Sequence, residues 1–136
     1  MKVREYNLFV IKQEYFDIYK NKPLFLFDIL KKLYNLKDNF NYGITLYEQL
    51  CNKVSVNTLK YYLNNRYELN NDELFYIDGS LIELRYSRII LKSHDEYPKI
   101  MEVFNCYNKN IFICDFNNND YFWLDIFSKN RILEAV

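Results

Sequence analysis

The first apolar run of the chain predicts a largely buried strand. Residues 3–12, VREYNLFVIK, alternate imperfectly between polar and apolar positions and then stay apolar through LFVI. The pattern changes at Lys12, and residues 13–19 predict a short, peripheral helix. Its large apolar side chains are Tyr15, Phe16, Ile18 and Tyr19.

Further helices are predicted where apolar residues repeat every three to four positions. Pro23 suits the first position of one helix, because a missing N–H costs nothing there. Ser55 can cap another by accepting a bond from a nearby backbone N–H. Ser93 and Glu96 have capping-box spacing before the last one, although Pro98 argues for a later start. The predicted helical ranges are 24–34, 44–54, 57–63 and 99–107.

Strand patterns dominate the second half of the chain. Asp78-Gly79 stands between two apolar runs and predicts a hairpin, because glycine supplies the positive φ that a type I′ turn requires. DFNNND, residues 115–120, predicts an Asn-rich turn between two strands. The predicted strands lie within 6–11, 74–92 and 111–124, while the tail SKNRILEAV fits neither pattern.

Together these elements predict an α+β fold in a single domain, residues 1–136, with helices packed against a mostly antiparallel sheet. The chain is long enough for one sizeable core. We expect ten apolar residues to be mostly buried: Phe9, Ile11, Phe27, Leu30, Leu50, Leu59, Val103, Phe104, Ile113 and Trp123.

Composition and charge limit the classes of function that the chain can have. The formal net charge is zero, so no overall electrostatic affinity for nucleic acid is expected. Lys and Arg exceed Asp and Glu in residues 1–68, and the reverse holds in residues 69–136. This asymmetry could orient a protein partner or be chance scatter. Without a signal peptide or a membrane-length apolar run, we expect a cytoplasmic protein.

The sequence offers little catalytic chemistry. His94 is the only histidine and lies near a predicted helix start, where a solvated residue is expected rather than a base or a metal ligand. Asp115 and Asp120 superficially suggest a calcium loop, but the spacing favours a turn. We therefore expect no cofactor, no metal and no enzymatic activity. Three separated cysteines without a CxxC motif predict buried, reduced thiols: Cys51, Cys106 and Cys114.

Two surfaces remain as candidates for binding. LKYYLNNRYEL interleaves Lys60 and Arg66 with tyrosines, as in proteins that bind single-stranded nucleic acid, but its leucines also fit a packed helix. Tyr15 and Tyr19 are four residues apart and share one face of the first helix. Tyrosine is enriched among the anchors of protein interfaces. The alternative is that both rings pack inside with their hydroxyls at the surface. Spacing alone leaves both alternatives open.

Two stretches carry a resemblance to a known family. YNLFVIKQEYFDIYKNK followed by an apolar helix, and later NIFICDFNNNDYFWL, resemble the SirA family, the sporulation inhibitors of replication. The resemblance implies a regulator that binds the N-terminal domain of the initiator DnaA without contacting DNA. It also implies a contact surface at Tyr15 and Tyr19, in the K-x-E-aromatic-x-x-x-Tyr pattern, with Gln49 of YEQLC. Helical spacing points Phe16 and Ile18 away from the face of Tyr15 and Tyr19, and we expect these two residues to point inward.

Overall fold

A computed structural model of the chain describes residues 3–36, 46–64, 74–77, 79–85 and 88–135. Within these residues there are six strands and six helices. The strands are β1 (Arg4–Val10), β2 (Leu74–Ile77), β3 (Ser80–Leu84), β4 (Ile89–Ser93), β5 (Ile111–Asp115) and β6 (Asp120–Trp123). The helices are α1 (Gln13–Tyr19), α2 (Pro23–Tyr34), α3 (46–50), α4 (Val56–Asn64), α5 (Met101–Tyr107) and α6 (Leu124–Ala135).

The strands form one sheet in the order β2-β3-β4-β1-β5-β6. Every neighbouring pair is antiparallel; β1, for example, pairs Tyr6 with Leu91 of β4 and Leu8 with Ile113 of β5. The predicted α+β class, with helices packed on an antiparallel sheet, is therefore confirmed.

β1 is buried on both faces from Tyr6 to Val10. Side chains alternate between the two faces of a strand. Tyr6, Leu8 and Val10 accordingly belong to one hydrophobic cluster, here called the first core, whereas Phe9 belongs to another, the second core. Burial on both faces explains why this strand lacks the strict alternation of a half-exposed one.

Different helices cover the two faces. The first core takes buried residues from α4 and α5, such as Leu59 and Phe104. The second core takes them from α2 and α3, such as Phe27 and Leu50. All ten residues predicted to be buried are buried, and they divide between the two cores.

The predicted third helix ends earlier than expected. Within 44–54 the structure describes a helix over 46–50 only, and 44–45 lie outside the described residues. Cys51 instead forms an antiparallel bridge with Ile11. The backbone N–H of Asn52 donates to the carbonyl of Val10 at 2.7 Å. This pairing with the end of β1 replaces the next helical turn, which residue spacing could not reveal.

Turn chemistry follows the sequence at both hairpins. Gly79 has a φ of 79°, as the predicted β2–β3 turn requires, while Asp78 lies outside the described residues. Asn119 has a φ of 51° in the β5–β6 turn, a conformation that asparagine tolerates. Asp115 accepts bonds there from the backbone and the side chain of Asn118.

The regions around α5 and α6 differ from expectation. Ser93 ends β4, and its hydroxyl accepts from the backbone N–H of Asp95, so it stabilises a bend instead of capping a helix. α5 begins only at Met101, in accord with the later start that Pro98 indicated. The unassigned tail belongs to α6 as far as Ala135, and Leu124, the first residue of α6, is buried in the first core.

The prediction of three buried cysteines is wrong for one of them. Cys51 and Cys114 are buried, but Cys106 is exposed on α5. Val103 and Phe104 form the buried side of this short helix. Cys106 lies about 200° around the helix from Phe104, which places its thiol toward solvent.

Candidate protein-binding surface

Backbone hydrogen bonds place α1 beside the end of α3. The N–H of Lys12, which immediately precedes α1, donates to the carbonyl of Leu50 at 3.0 Å. Lys12 in turn accepts from the N–H groups of Tyr15 and Phe16, which begin the helix. The start of α1 and the end of α3 are thus held together through one residue.

Side chains anchor the first turn of α1 on its other side. Gln13 donates to Asp17 at 3.0 Å and accepts from the side chain of Asn110 at 2.9 Å. Asn110 precedes β5, so α1 is tied both to the end of α3 and to the start of β5. A seven-residue helix is too short to be stable alone, and these contacts supply its support.

Tyr15 and Tyr19 are half-buried. α1 has no fully buried residue, and both rings pack against the second core while keeping part of their surface accessible. The structure therefore places both rings between the two alternatives, neither fully inward nor free of the core. Each ring contributes to packing and to the surface at the same time.

Phe16 and Ile18 differ in orientation. Phe16 is half-buried and meets Trp123 edge-to-face, with ring centroids 4.9 Å apart, as expected of an inward residue. Ile18 was expected inward as well, but it is 57% exposed. At about 100° per residue, Tyr15, Phe16 and Tyr19 share the inner arc of the helix, and Ile18 lies outside it beside Tyr15. The exposed apolar surface of α1 therefore includes Ile18.

Gln49 is exposed on α3, directly before Leu50. Because the Leu50 carbonyl accepts from Lys12, this end of α3 lies beside the start of α1. Tyr15, Tyr19 and Gln49 thus belong to two elements that are joined by their backbones.

Sequence reasoning missed two exposed residues at the start of α2. Leu24 is 52% exposed and Phe25 is 59% exposed. The signal was present, because the inward stripe of α2 consists of Leu26, Phe27, Leu30 and Leu33 and leaves both residues outside it.

The residues considered as catalytic or metal-binding candidates have structural positions in the fold. Asp115 is buried and bonds to Arg4 and Asn118, so its oxygens serve the structure of the turn. His94 is exposed in a bend after β4. Nowhere in the described residues do three or more His, Cys, Asp or Glu side chains form a group that could hold a metal ion.

The tyrosine-rich α4 is a packed helix. Leu59 and Leu63 are buried in the first core, and Tyr62 packs against the same core. Tyr61 is exposed, while Arg66 and Tyr67 lie outside the described residues. The predicted core-facing stripe of this helix is therefore confirmed.

Beneath the candidate surface, burial alters the titration of two groups in the second core. Desolvation raises the pKa of Cys51 to about 12, against a smaller opposing effect of Lys12. It likewise raises the pKa of Tyr47 to about 12, although Arg88 opposes the change. Both groups are therefore neutral at physiological pH and act as packing residues.

Comparison of the chain with protein-family models finds no match, and comparison with curated proteins finds none either. The resemblance to SirA therefore rests on the quoted motifs. No helix in the described part of the chain is long and apolar enough to cross a membrane.

Proposed function

We propose that this protein is a non-enzymatic regulator that binds the N-terminal domain of the initiator DnaA and inhibits the initiation of DNA replication during sporulation. One observation carries the proposal. The residues that the resemblance to SirA selects from two separate segments, Tyr15, Tyr19 and Gln49, belong to helices joined at Lys12 and Leu50. If the motif match were accidental, there would be no reason for these two helices to lie side by side.

The exposure of these residues supports a binding role. Half-buried tyrosines are held in place by the second core and still present ring surface, so little side-chain entropy is lost on binding. Gln49 is exposed and can supply a hydrogen bond at the edge of the aromatic contact. Inhibition would follow from occlusion, because the covered face of the initiator domain is no longer free for self-assembly or for helper proteins.

The direct test is the affinity of purified variants for the isolated initiator domain, measured by titration calorimetry. Tyr15→Ala and Tyr19→Ala should each weaken binding by about thirtyfold, which corresponds to about 2 kcal/mol for an interface anchor. Gln49→Ala should weaken it by up to about tenfold, the worth of one hydrogen bond. Because both rings also contact the core, the melting temperature of each variant is measured alongside.

Two controls match these changes. Tyr61→Ala removes a tyrosine that is 65% exposed on α4, and Glu48→Ala alters the exposed neighbour of Gln49. Both should bind with the affinity of the unmodified chain. The proposal fails if the unmodified chain does not bind the domain, or if folded Tyr15→Ala, Tyr19→Ala and Gln49→Ala proteins all bind it normally.

A further inference from the structure

Exposed apolar side chains concentrate where α1 meets α2. Seven large apolar residues are exposed in the described part of the chain, and three of them, Ile18, Leu24 and Phe25, fall in this short stretch. The other four are dispersed, lying before β1 and on α4, β2 and α6: Val3, Tyr61, Tyr76 and Ile126. Isolated exposed apolar residues are ordinary in proteins, whereas a concentration of them marks a contact surface.

Backbone hydrogen bonds connect α1 and α2 at this corner. The N–H of Lys20 donates to the carbonyl of Phe16 at 2.8 Å, and the N–H of Lys22 donates to that of Tyr19 at 2.9 Å. The N–H of Phe25 then donates to the carbonyl of Lys22 at 3.2 Å. The chain thus passes from α1 into α2 through a short hydrogen-bonded turn, which places the end of one helix beside the first turn of the other.

Folding does not account for this exposure. α2 already buries a full stripe against the second core, and Leu24 and Phe25 lie outside it. Ile18 follows Tyr15 by three positions, so it connects the corner to the tyrosine face of α1. Apolar residues that keep accessible surface therefore follow one another along the chain from Tyr15 and Ile18 on α1 to the first turn of α2.

The turn between α1 and α2 carries two positive charges. Lys20 and Lys22 are both exposed, and the first turn of α2 contains no acidic residue. The ion pairs found among the described residues do not include either lysine. The nearest acids lie about one helical turn away: Asp17 on α1, which already accepts from Gln13, and the exposed Asp28 on α2. An apolar centre bordered by two lysines complements an apolar contact bordered by carboxylates.

We infer that the docking surface of the proposed function continues over this corner: Ile18, Leu24 and Phe25 bury an apolar side chain of the partner protein, and Lys20 and Lys22 pair with carboxylates around it. The inference rests on the proposed function for the identity of the partner. The inference adds a second contact area to the proposed surface. It also specifies that the face of the partner protein at this area is negatively charged.

The apolar part is tested with the double variant Leu24→Ser/Phe25→Ser and the single variant Ile18→Ser, titrated against the initiator domain. Each should weaken binding by about tenfold or more, and neither should lower the melting temperature appreciably, because the side chains lie outside the core. The matched control is Tyr61→Ser/Ile126→Ser, which removes an aromatic and an aliphatic residue of similar exposure on other helices. It should bind normally.

The charged part is tested with Lys20→Glu/Lys22→Glu. The control is Lys92→Glu/Lys99→Glu, which produces the same change in net charge at exposed sites on β4 and before α5. The first variant should slow association by about tenfold at low salt, and raising the salt should narrow its difference from the unmodified chain. The control should leave association near its original rate.

The outcomes separate the two proposals. If Tyr15→Ala and Tyr19→Ala lose binding while the three corner variants bind normally, the extension is overturned and the proposed function stands. If the unmodified chain fails to bind the initiator domain, the proposed function and the extension fall together. Corner variants that weaken binding no more than their controls also overturn the extension.

Discussion

At the scale of single residues, the three thiols show how strongly environment determines chemistry. Cys51 and Cys114 are buried in the second core, and desolvation raises the pKa of both thiols, that of Cys51 to about 12. Cys106 is exposed on α5. Only the thiolate is nucleophilic, so burial suppresses reactivity by limiting access and by disfavouring the reactive form.

We predict that one thiol per folded chain reacts with a disulfide reagent at pH 8 within minutes, and that the other two react only after unfolding in denaturant. The reactive group should be Cys106. The matched variant Cys106→Ser should leave the folded protein unreactive, with two thiols appearing on unfolding. Rapid reaction of a second thiol in the folded unmodified chain would contradict the burial of the second core.

At the scale of elements, α2 places residues of the same type in opposite environments. Phe27 is buried and stacks on Phe116 and Tyr121, with ring centroids 5.7 and 4.7 Å apart. Phe25, two positions earlier, faces solvent. The position on the helix, rather than the residue type, therefore decides what each phenylalanine contributes to stability.

We predict that Phe27→Ala lowers the free energy of unfolding by about 3–5 kcal/mol, because a large buried ring leaves a cavity. Phe104→Ala should cost a similar amount in the first core, where Phe104 is fully buried. Phe25→Ala should stay within about 0.5 kcal/mol of the unmodified chain. Urea titration followed by circular dichroism measures all three. Equal effects at positions 25 and 27 would show that the orientation of α2 is wrong.

At the scale of the whole molecule, one arginine joins parts of the chain that are far apart in sequence. Arg4 of β1 pairs with Asp115 at 2.9 Å, Asp120 at 3.2 Å and Glu96 at 2.7 Å. These carboxylates come from the β5–β6 hairpin and from the bend that follows β4. The Asp115 side chain is only 1% exposed, whereas that of Glu96 is 68% exposed.

We predict that Arg4→Met lowers the free energy of unfolding by about 3–5 kcal/mol, because it leaves the buried carboxylate of Asp115 without its cation. Because Asn118 also donates to Asp115, we expect a loss of stability near the lower end of this range. Glu96→Gln, which removes the exposed partner of the same arginine, should cost no more than about 1 kcal/mol. A comparable loss in both variants during thermal unfolding would show that burial of Asp115 is unimportant.

The candidate surface was only partly predictable. Tyr15 and Tyr19 share a helix face because their spacing is local, and the resemblance to SirA supplied Gln49. The inward orientation expected for Ile18 was wrong, because a seven-residue helix lacks a repeating apolar stripe from which its rotation could be read. Leu24 and Phe25 lie outside the apolar stripe of α2, but the sequence did not identify them as exposed. Their exposure depends on which elements of the fold pack against the start of the helix.

The sequence by itself determined the six strands and the helices α1, α2, α4 and α5, together with the β2–β3 and β5–β6 turns and the ten predicted core residues. These depend on alternation, helical spacing and turn chemistry, which act between near neighbours. Only the tertiary structure decided that β1 lies inside a six-stranded sheet, that α3 gives way to a bridge between Cys51 and Ile11, and that Ile18 faces solvent. Those outcomes depend on contacts between distant segments, and one such contact, between Lys12 and Leu50, brings α1 and the end of α3 together.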